Sequence, residues 1–172
     1  MSIVLPEVDP DDPRWTKRGA IYMPAGEGPT YWTAGDAYTL KATAGTTNGA
    51  FSFIEASVPP GAGPVAHVHN ANDEAFYLLS GSLEFLDGDH QFVAGQGDFI
   101  FVPRGHRHRF RNISAHTTKL LFMFTPGGPE AAFEMGIPAV PGEQPPPPAD
   151  PTPEALAEMI ALAQRVETEI MP

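Results

Sequence analysis

Apolar runs rich in β-branched and aromatic residues alternate with polar turns from Ala20 to Pro126. Such short runs, separated by Gly, Asn and Asp, are typical of an all-β sandwich or barrel. The predicted strands lie within residues 37–44, 51–58, 82–103, 108–114 and 118–126. Asn48-Gly49, Asp87-Gly88 and the glycines at 95–97 provide the turns. The pattern therefore predicts a meander of strands that forms one barrel.

The pattern changes after residue 136, where we place the boundary between a barrel domain with an N-terminal arm (1–136) and a C-terminal segment (137–172). Residues 137–153 hold eight of the 20 prolines, which favours a stiff, extended linker. Thr152 is a candidate N-cap and Pro153 a candidate first helical residue. The apolar residues that follow at helical spacing are Leu156, Met159, Ile160, Ala163, Val166 and Ile170. They predict an amphipathic helix that packs on the barrel or on a dimer partner.

Length and composition limit the classes of function. A chain of 172 residues that is 42% hydrophobic is long enough for a single domain with a sizeable core. The net charge of −11 disfavours nucleic acid and anionic membranes as partners. There is no cysteine, which excludes disulfides and thiolate metal sites. No leader-like segment or long apolar run stands out, so we expect a cytoplasmic protein without a membrane span.

Candidate chemistry begins at the stretch HVHNANDEAFY, residues 67–77. Residues two apart on a strand face the same side, so His67 and His69 can both point into a barrel, and Glu74 can follow after a short turn. A histidine pair of this kind is, by itself, weak evidence for a metal site, because surface and core histidines outnumber histidines that bind metals. The pair therefore leaves a metal site and a half-buried strand both open.

A second segment, GQGDFIFVPRGHRHRFRN at residues 95–112, favours the metal site. If it is a strand, His106, His108 and Phe110 share one face while the arginines share the other. Exposed arginines leave His108 free to point inward. Imidazoles with a carboxylate suit a divalent ion of Fe, Mn, Co, Ni, Cu or Zn, with open positions for water, dioxygen or substrate.

The two segments resemble the two motifs of the cupin superfamily. Gly61, His67, His69, Glu74 and Gly81 match the first motif, G-x5-HxH-x4-E-x6-G. The second motif, G-x5-PxG-x2-H-x3-N, is matched by Gly97, Pro103, Gly105, His108 and Asn112. The resemblance implies a jelly-roll-like β-barrel and carries the superfamily's ligand set, three histidines and a glutamate, onto His67, His69, Glu74 and His108.

The single motif pair, the flanking segments and the linker to a terminal helix resemble the single-domain, quercetin dioxygenase-like cupins. This resemblance implies a metal-dependent dioxygenase that cleaves a flavonol-like, enol-bearing aromatic substrate with O2, with Glu74 as the proton acceptor. The cupin fold also hosts other reactions. One alternative is a redox-neutral isomerase, cyclase or lyase acting on a polyketide-like or other small molecule. A second alternative is a non-catalytic small-molecule binder.

Further expectations concern the substrate pocket and assembly. Most phenylalanines belong to the core, but Phe53 and Phe76 lie on strands beside the candidate ligands and are our candidates for an apolar pocket. His106, which shares strand parity with His108, is a third candidate for the pocket or a group behind the ligands. Cupin barrels commonly pair through sheet edges or exchanged termini, so we also expect a homodimer.

Overall fold

The computed structural model describes residues 9–140 and 152–171. Its elements are mainly antiparallel strands, as predicted. The strands are β1 Thr30–Thr33, β2 Asp36–Ala42, β3 Ser52–Val58, β4 His67–His69, β5 Asp73–Ser80, β6 Ser82–Asp87, β7 His90–Gly95, β8 Phe99–Val102, β9 His108–Arg111, β10 Thr118–Thr125, β11 Ile137–Pro138 and β12 Thr168–Ile170. The helices are a 3-10 turn at Pro13–Trp15, α1 Ala131–Glu134 and α2 Pro153–Arg165.

The strands form two sheets that face each other across one core. The seven-stranded sheet has the order β11-β1-β2-β3-β10-β5-β8, and the five-stranded sheet has the order β12-β4-β9-β6-β7. Burial alternates along β3, where Ser52, Ile54, Ala56 and Val58 are buried, because successive side chains of a strand point to opposite faces. Facing residues from β2, β5, β6 and β10 complete an aromatic and aliphatic core.

The predicted turns are confirmed. Asn48 and Gly49 both have positive φ, in the connection between β2 and β3. Gly88 ends β6 and Gly97 precedes β8, also with positive φ. Positive φ is costly for residues with a Cβ atom, so glycine and asparagine are favoured at such positions. These turns separate β2 from β3, β6 from β7 and β7 from β8.

The terminal helix begins as predicted but ends earlier. The Thr152 side chain accepts a hydrogen bond from the Ala155 N–H, and Pro153 is the first helical residue. The expectation that the helix continues to Ile170 is wrong, because α2 ends at Arg165 and the chain reverses at Glu167, which has a φ of 52°. Backbone hydrogen bonds to β4 then satisfy residues 168–170 as a strand.

The terminal segment joins the barrel through β12, since α2 itself buries no residue among those described. The predicted linker falls partly on residues 141–151, outside the described residues. None of the described helices has the length and apolarity that a membrane crossing requires.

Candidate metal centre

Three strands place four donor side chains in one cluster. His67 and His69 lie on β4, Glu74 lies on β5 after a turn, and His108 begins β9. β9 pairs with β4 so that His67 and His108 are direct neighbours. A metal-ligating atom of each residue lies within 4.8 Å of the other three. His69, Glu74 and His108 are buried, and His67 is partly buried. These are the four residues that the two motifs single out.

Glu74 is the centre of the cluster. Its Oε2 atom lies 2.9 Å from His108 Nε2 and 3.3 Å from His69 Nε2. The imidazole of His67 packs against the other two, with ring centroids 4.8 Å from His69 and 4.5 Å from His108. Two of the rings therefore contact one carboxylate oxygen inside the barrel, and the ring of His67 packs against both of them.

The outer nitrogen of each imidazole has its own oxygen partner. His67 Nδ1 lies 2.8 Å from the Val65 carbonyl, and His108 Nδ1 lies 3.0 Å from the His106 carbonyl. His69 Nδ1 instead lies 2.8 Å from the side-chain hydroxyl of Thr168 on β12. A partner at Nδ1 sets the tautomer and the ring orientation, and it leaves Nε2 available as a ligand.

Electrostatics keep Glu74 ionised. Burial raises the pKa of a carboxyl group, but the imidazoles of His108 and His69 outweigh burial and lower the pKa of Glu74 to about 2. Burial, together with the charges of His108 and His69, lowers the pKa of His67 to about 4. Burial also lowers the pKa of His108, but its hydrogen bond to Glu74 outweighs this and raises it. At neutral pH the cluster therefore offers a carboxylate and a neutral His67.

The cluster fits a divalent transition metal. His69 Nε2 is buried and has no hydrogen-bond partner among the described residues. Leaving a buried polar atom without a partner costs free energy, and a metal ion would remove that cost. Three imidazoles and a carboxylate are suitable donors for the divalent ions of Mn, Fe, Co, Ni, Cu and Zn. The cluster could therefore bind a metal ion, and its role as the ligand set is a proposal.

The three candidate pocket residues occupy different environments. Phe76 is buried in the core, and its ring centroid lies 6.3 Å from that of His108. Phe53 is only partly buried and lies between the buried Ser52 and Ile54, so it faces the opposite side of β3. His106 precedes β9 and is exposed, with Nδ1 3.2 Å from the Pro103 carbonyl. The structure therefore places Phe76 beside the cluster and Phe53 on the opposite side of β3, whereas His106 has an exposed side chain and meets His108 Nδ1 through its carbonyl.

Two residues missed by the sequence reasoning also contact the cluster. The Phe124 ring on β10 lies 5.0 Å from the His69 ring, edge to face. Thr168 contacts His69 from a position 99 residues away. Parity along β10 could have suggested Phe124. No local sequence pattern predicts the contact of Thr168 with His69, because Thr168 lies in a segment whose apolar residues have helical spacing.

The non-ligand motif positions build the frame of the site. Asn112 is buried, and its side-chain amide donates hydrogen bonds to the carbonyls of Val58 and His116. Gly81 has a φ of 78°, and a Cβ atom there would collide with the side chain of Thr118. The Gly105 N–H donates to the His69 carbonyl at 2.8 Å. These contacts hold the ends of the ligand-bearing strands in register.

A surface groove of about 410 Å³ lies on the other face of β9. Arg107, Arg109 and Arg111 line it together with the loop around Gly63. Alternation along β9 directs these arginines away from His108, as the sequence predicts. The groove is therefore separate from the histidine cluster.

Comparisons with known proteins agree with the motifs. Residues 54–124 match the family described as "Cupin domain". The chain is 29% identical over 105 residues to quercetin 2,3-dioxygenase of Bacillus subtilis, covering 61% of this chain and 31% of that protein. It is 30% identical over 93 residues to the tetracenomycin polyketide synthase protein TcmJ of Streptomyces glaucescens, covering 54% of this chain and 61% of that protein. The chain thus spans less than two thirds of either relative.

A solved structure supports the fold. The structure of KdgF from Halomonas sp. superposes with a TM-score of 0.57 at 15% identity, covering 64% of this chain and 96% of that one. Identity at this level concerns the architecture alone. The two-sheet architecture, both complete motifs and the family match lead to one conclusion: residues 54–124 form a cupin domain.

Proposed function

We propose that this protein is a metal-dependent dioxygenase that cleaves a flavonol-like, enol-bearing aromatic substrate with O2. The observation that carries the proposal is the buried cluster of His67, His69, Glu74 and His108, whose ligand atoms converge within 4.8 Å. The similarity to quercetin 2,3-dioxygenase supports this choice of substrate class. The proposed cofactor is one divalent ion of Fe, Mn, Ni, Co, Cu or Zn.

When bound by these four residues, the ion would supply Lewis-acid charge that acidifies an enolic oxygen and favours reaction with O2. Glu74 accepts the enol proton at its carboxylate. The low pKa of Glu74 keeps the carboxylate ionised but makes it a weak base, so it suits a substrate that is already acidified. The partners at Nδ1 hold the three imidazoles in place while Glu74 takes up the proton.

Aromatic side chains behind the cluster limit the access of water. Phe76 and Phe124 are buried and pack against the rings of His108 and His69, respectively. Exclusion of water strengthens the interactions between the carboxylate and the imidazoles. Phe76 is our candidate for the apolar wall of the substrate pocket, whereas Phe53 faces the opposite side of β3.

A redox-neutral isomerase, cyclase or lyase is the second candidate function. The observation that favours it is the similarity to TcmJ, a polyketide synthase protein, at an identity close to that of the dioxygenase. In this case the same cluster would polarise a carbonyl or enol, and Glu74 would move a proton without consumption of O2. A non-catalytic binder would use the cluster only to hold its ligand.

One experiment separates the three functions. The purified protein is analysed for metal and then incubated with a panel of flavonols and polyketide-like enols, with and without air. Oxygen consumption with release of carbon monoxide from a flavonol supports the dioxygenase. Equal turnover with and without air supports the redox-neutral enzyme, and binding without turnover supports the binder. His90→Ala, a substitution on β7 outside the cluster, is the matched control for each assay.

We also propose a homodimer. Leu156, Met159 and Ile160 on α2 are 47%, 51% and 44% exposed, so the described residues of one chain leave the predicted apolar stripe uncovered. Phe99 and Phe101 are exposed on β8, at the edge of the seven-stranded sheet. A second copy would bury these apolar side chains and protect the sheet edge. Light scattering that gives the monomer mass at micromolar concentration would exclude this assembly.

A further inference from the structure

The three imidazoles differ in what holds their outer nitrogen. His67 and His108 each use a backbone carbonyl two residues earlier in the chain. Each carbonyl belongs to the same chain segment as its histidine, so the contact does not depend on any other segment. His69 uses the hydroxyl of Thr168, which lies 99 residues away on β12. The orientation of His69 therefore depends on whether β12 is in place.

The surroundings of Thr168 favour its role as an acceptor. Its hydroxyl donates a hydrogen bond to the Val166 carbonyl, 3.4 Å away. A lone pair of Oγ1 then remains for the His69 Nδ1–H, 2.8 Å away. With the proton at Nδ1, Nε2 of His69 is unprotonated, and it is this buried Nε2 that has no hydrogen-bond partner among the described residues.

Backbone hydrogen bonds hold β12 on both sides of Thr168. Thr168 pairs with His69 and Ile170 with His67 in the antiparallel ladder. The Asn70 N–H donates to the Glu167 carbonyl, and the Met171 N–H donates to the Ala66 carbonyl, each at 2.9 Å. β12 therefore lies along the whole of β4, the strand that carries two of the four donors.

The end of β12 is also tied to β9. Arg107 Nε donates to the Met171 carbonyl at 2.6 Å, and Arg107 Nη1 donates to the Gly88 carbonyl at 2.8 Å. Arg107 lies next to His108, so one residue links the terminal strand to the turn before the fourth donor. The contacts of β12 thus reach both ligand-bearing strands of the five-stranded sheet.

We propose that Thr168 is a positioning residue for His69, and that docking of β12 and metal binding are thermodynamically linked. Docked β12 presents His69 in the tautomer and orientation that a metal needs. By reciprocity, a bound metal fixes His69 and so stabilises the docked position of β12. The proposal rests on the metal centre proposed above, and it adds the side chain of Thr168 to the groups that support that centre.

The first test measures metal affinity with Co2+ alone, whose visible absorption reports the ligand set. Thr168→Val keeps the shape and removes the hydroxyl, so we expect a 10- to 100-fold weaker affinity, the range typical of lost partners behind a metal ligand. Thr168→Ser restores the hydroxyl and should bind within about threefold of wild type. Glu169→Gln, on the same strand with its side chain on the opposite face, should bind like wild type.

A purely structural role for Thr168 would not produce this pattern, because serine would not rescue a packing defect. Equal Co2+ affinity and spectra for wild type and Thr168→Val would overturn the proposal while leaving the metal centre intact. Absence of Co2+ binding by wild type would overturn both.

The second test needs no variant. Hydrogen exchange of the wild-type protein is followed at the Met171 and Asn70 amides, which donate across the β12–β4 edge. Co2+ should slow exchange at both amides more than at the Gly95 amide, whose hydrogen bond to Asp98 lies outside the cluster. Exchange at Met171 and Asn70 that is unchanged by Co2+ would contradict the linkage.

Discussion

Glu74 and Asp36 are two buried carboxyl groups in the same barrel, and their ionisation differs strongly. Glu74 on β5 is 4% exposed and Asp36 on β2 is 0% exposed. Burial raises the pKa of Asp36 to about 7, although the hydrogen bond from the Tyr38 hydroxyl opposes the rise. The pKa of Glu74 is about 2, because imidazoles surround it.

The difference shows that the partners of a buried carboxyl group decide whether burial keeps it protonated or is outweighed. Asp36 has one neutral donor at 2.7 Å, and its Oδ1 atom has no partner among the described residues. Glu74 has the imidazoles of His108 and His69 within 3.3 Å. The first arrangement favours a protonated group inside a packed core. The second favours an anion that can bind a cation or accept a proton.

The largest expected effect comes from removing the nearest partner of Glu74. His108→Ala deletes one of four donors and leaves the carboxylate with less compensation, so its pKa should rise toward that of Asp36. We expect the apparent Co2+ affinity to fall more than about 100-fold, with similar losses for His67→Ala and His69→Ala. Metal analysis and titration measure this loss. Full occupancy in the His108→Ala protein would remove His108 from the ligand set.

The next effect concerns turnover. Glu74→Gln keeps the shape and one coordinating oxygen but removes the charge and the basicity. We expect a substantial fraction of the metal to remain, while turnover of a flavonol falls by about 10²- to 10⁴-fold, the usual contribution of a general base. Metal content and steady-state rates are measured on the same sample. A near wild-type rate would limit Glu74 to a ligand and send the proton to solvent or another group.

A smaller effect concerns the pH dependence of stability at Asp36. Because its folded pKa of about 7 exceeds the ordinary value of 3.8, the folded state binds more protons between these pH values. The contribution of Asp36 to the free energy of unfolding therefore falls as the pH rises from about 4 to 7. Asp36→Asn should remove this fall and raise stability at pH 8 by roughly 1 to 3 kcal/mol. Urea unfolding at pH 5 and pH 8 measures it.

Metal-free Glu74 should behave in the opposite way. Its pKa is lowered from 4.5 to about 2, so its contribution to stability is present above pH 4.5 and is lost as pH falls toward 2. If Asp36→Asn and wild type show parallel stability profiles between pH 4 and 8, the contrast between the two carboxyl groups fails.

The smallest effect is expected for Tyr38→Phe. The substitution keeps the ring that stacks on Phe133, with centroids 4.2 Å apart, and removes only the hydroxyl that donates to Asp36. We expect a loss of about 1 kcal/mol of unfolding free energy, the usual net value of one hydrogen bond. The pKa of Asp36 should rise further, which would move the fall in stability to higher pH. An unchanged midpoint of that fall would show that the hydroxyl does not stabilise the ionised carboxyl group.

Much of the centre could be predicted because its determinants are local in sequence. Strand parity makes His67, His69 and His108 candidates, the resemblance to the cupin motifs groups them with Glu74, and the structure brings these four together. The turn glycines mark where the strands end, and Thr152 marks where α2 begins. Each of these predictions depends on residues that are close in the chain.

The remaining features depend on contacts between distant segments. Helical spacing suggested that α2 continues to Ile170, but pairing with β4 and the reversal at Glu167 outweigh that preference. The same pairing puts Thr168 against His69. The burial of Asp36 could not be predicted from the sequence either, because an aspartate beside a tight turn is ordinarily solvent-exposed.

The pairing of β12 with β4 also has a consequence for the order of folding. The four clustered donors are present once residue 108 has been synthesised, whereas the partner of His69 emerges 60 residues later. At about 5 to 20 residues per second, synthesis leaves an interval of several seconds in which β4 is an unprotected sheet edge. During that interval the nascent chain exposes the backbone groups of β4, and closure of the barrel wall waits for the segment that ends at Ile170.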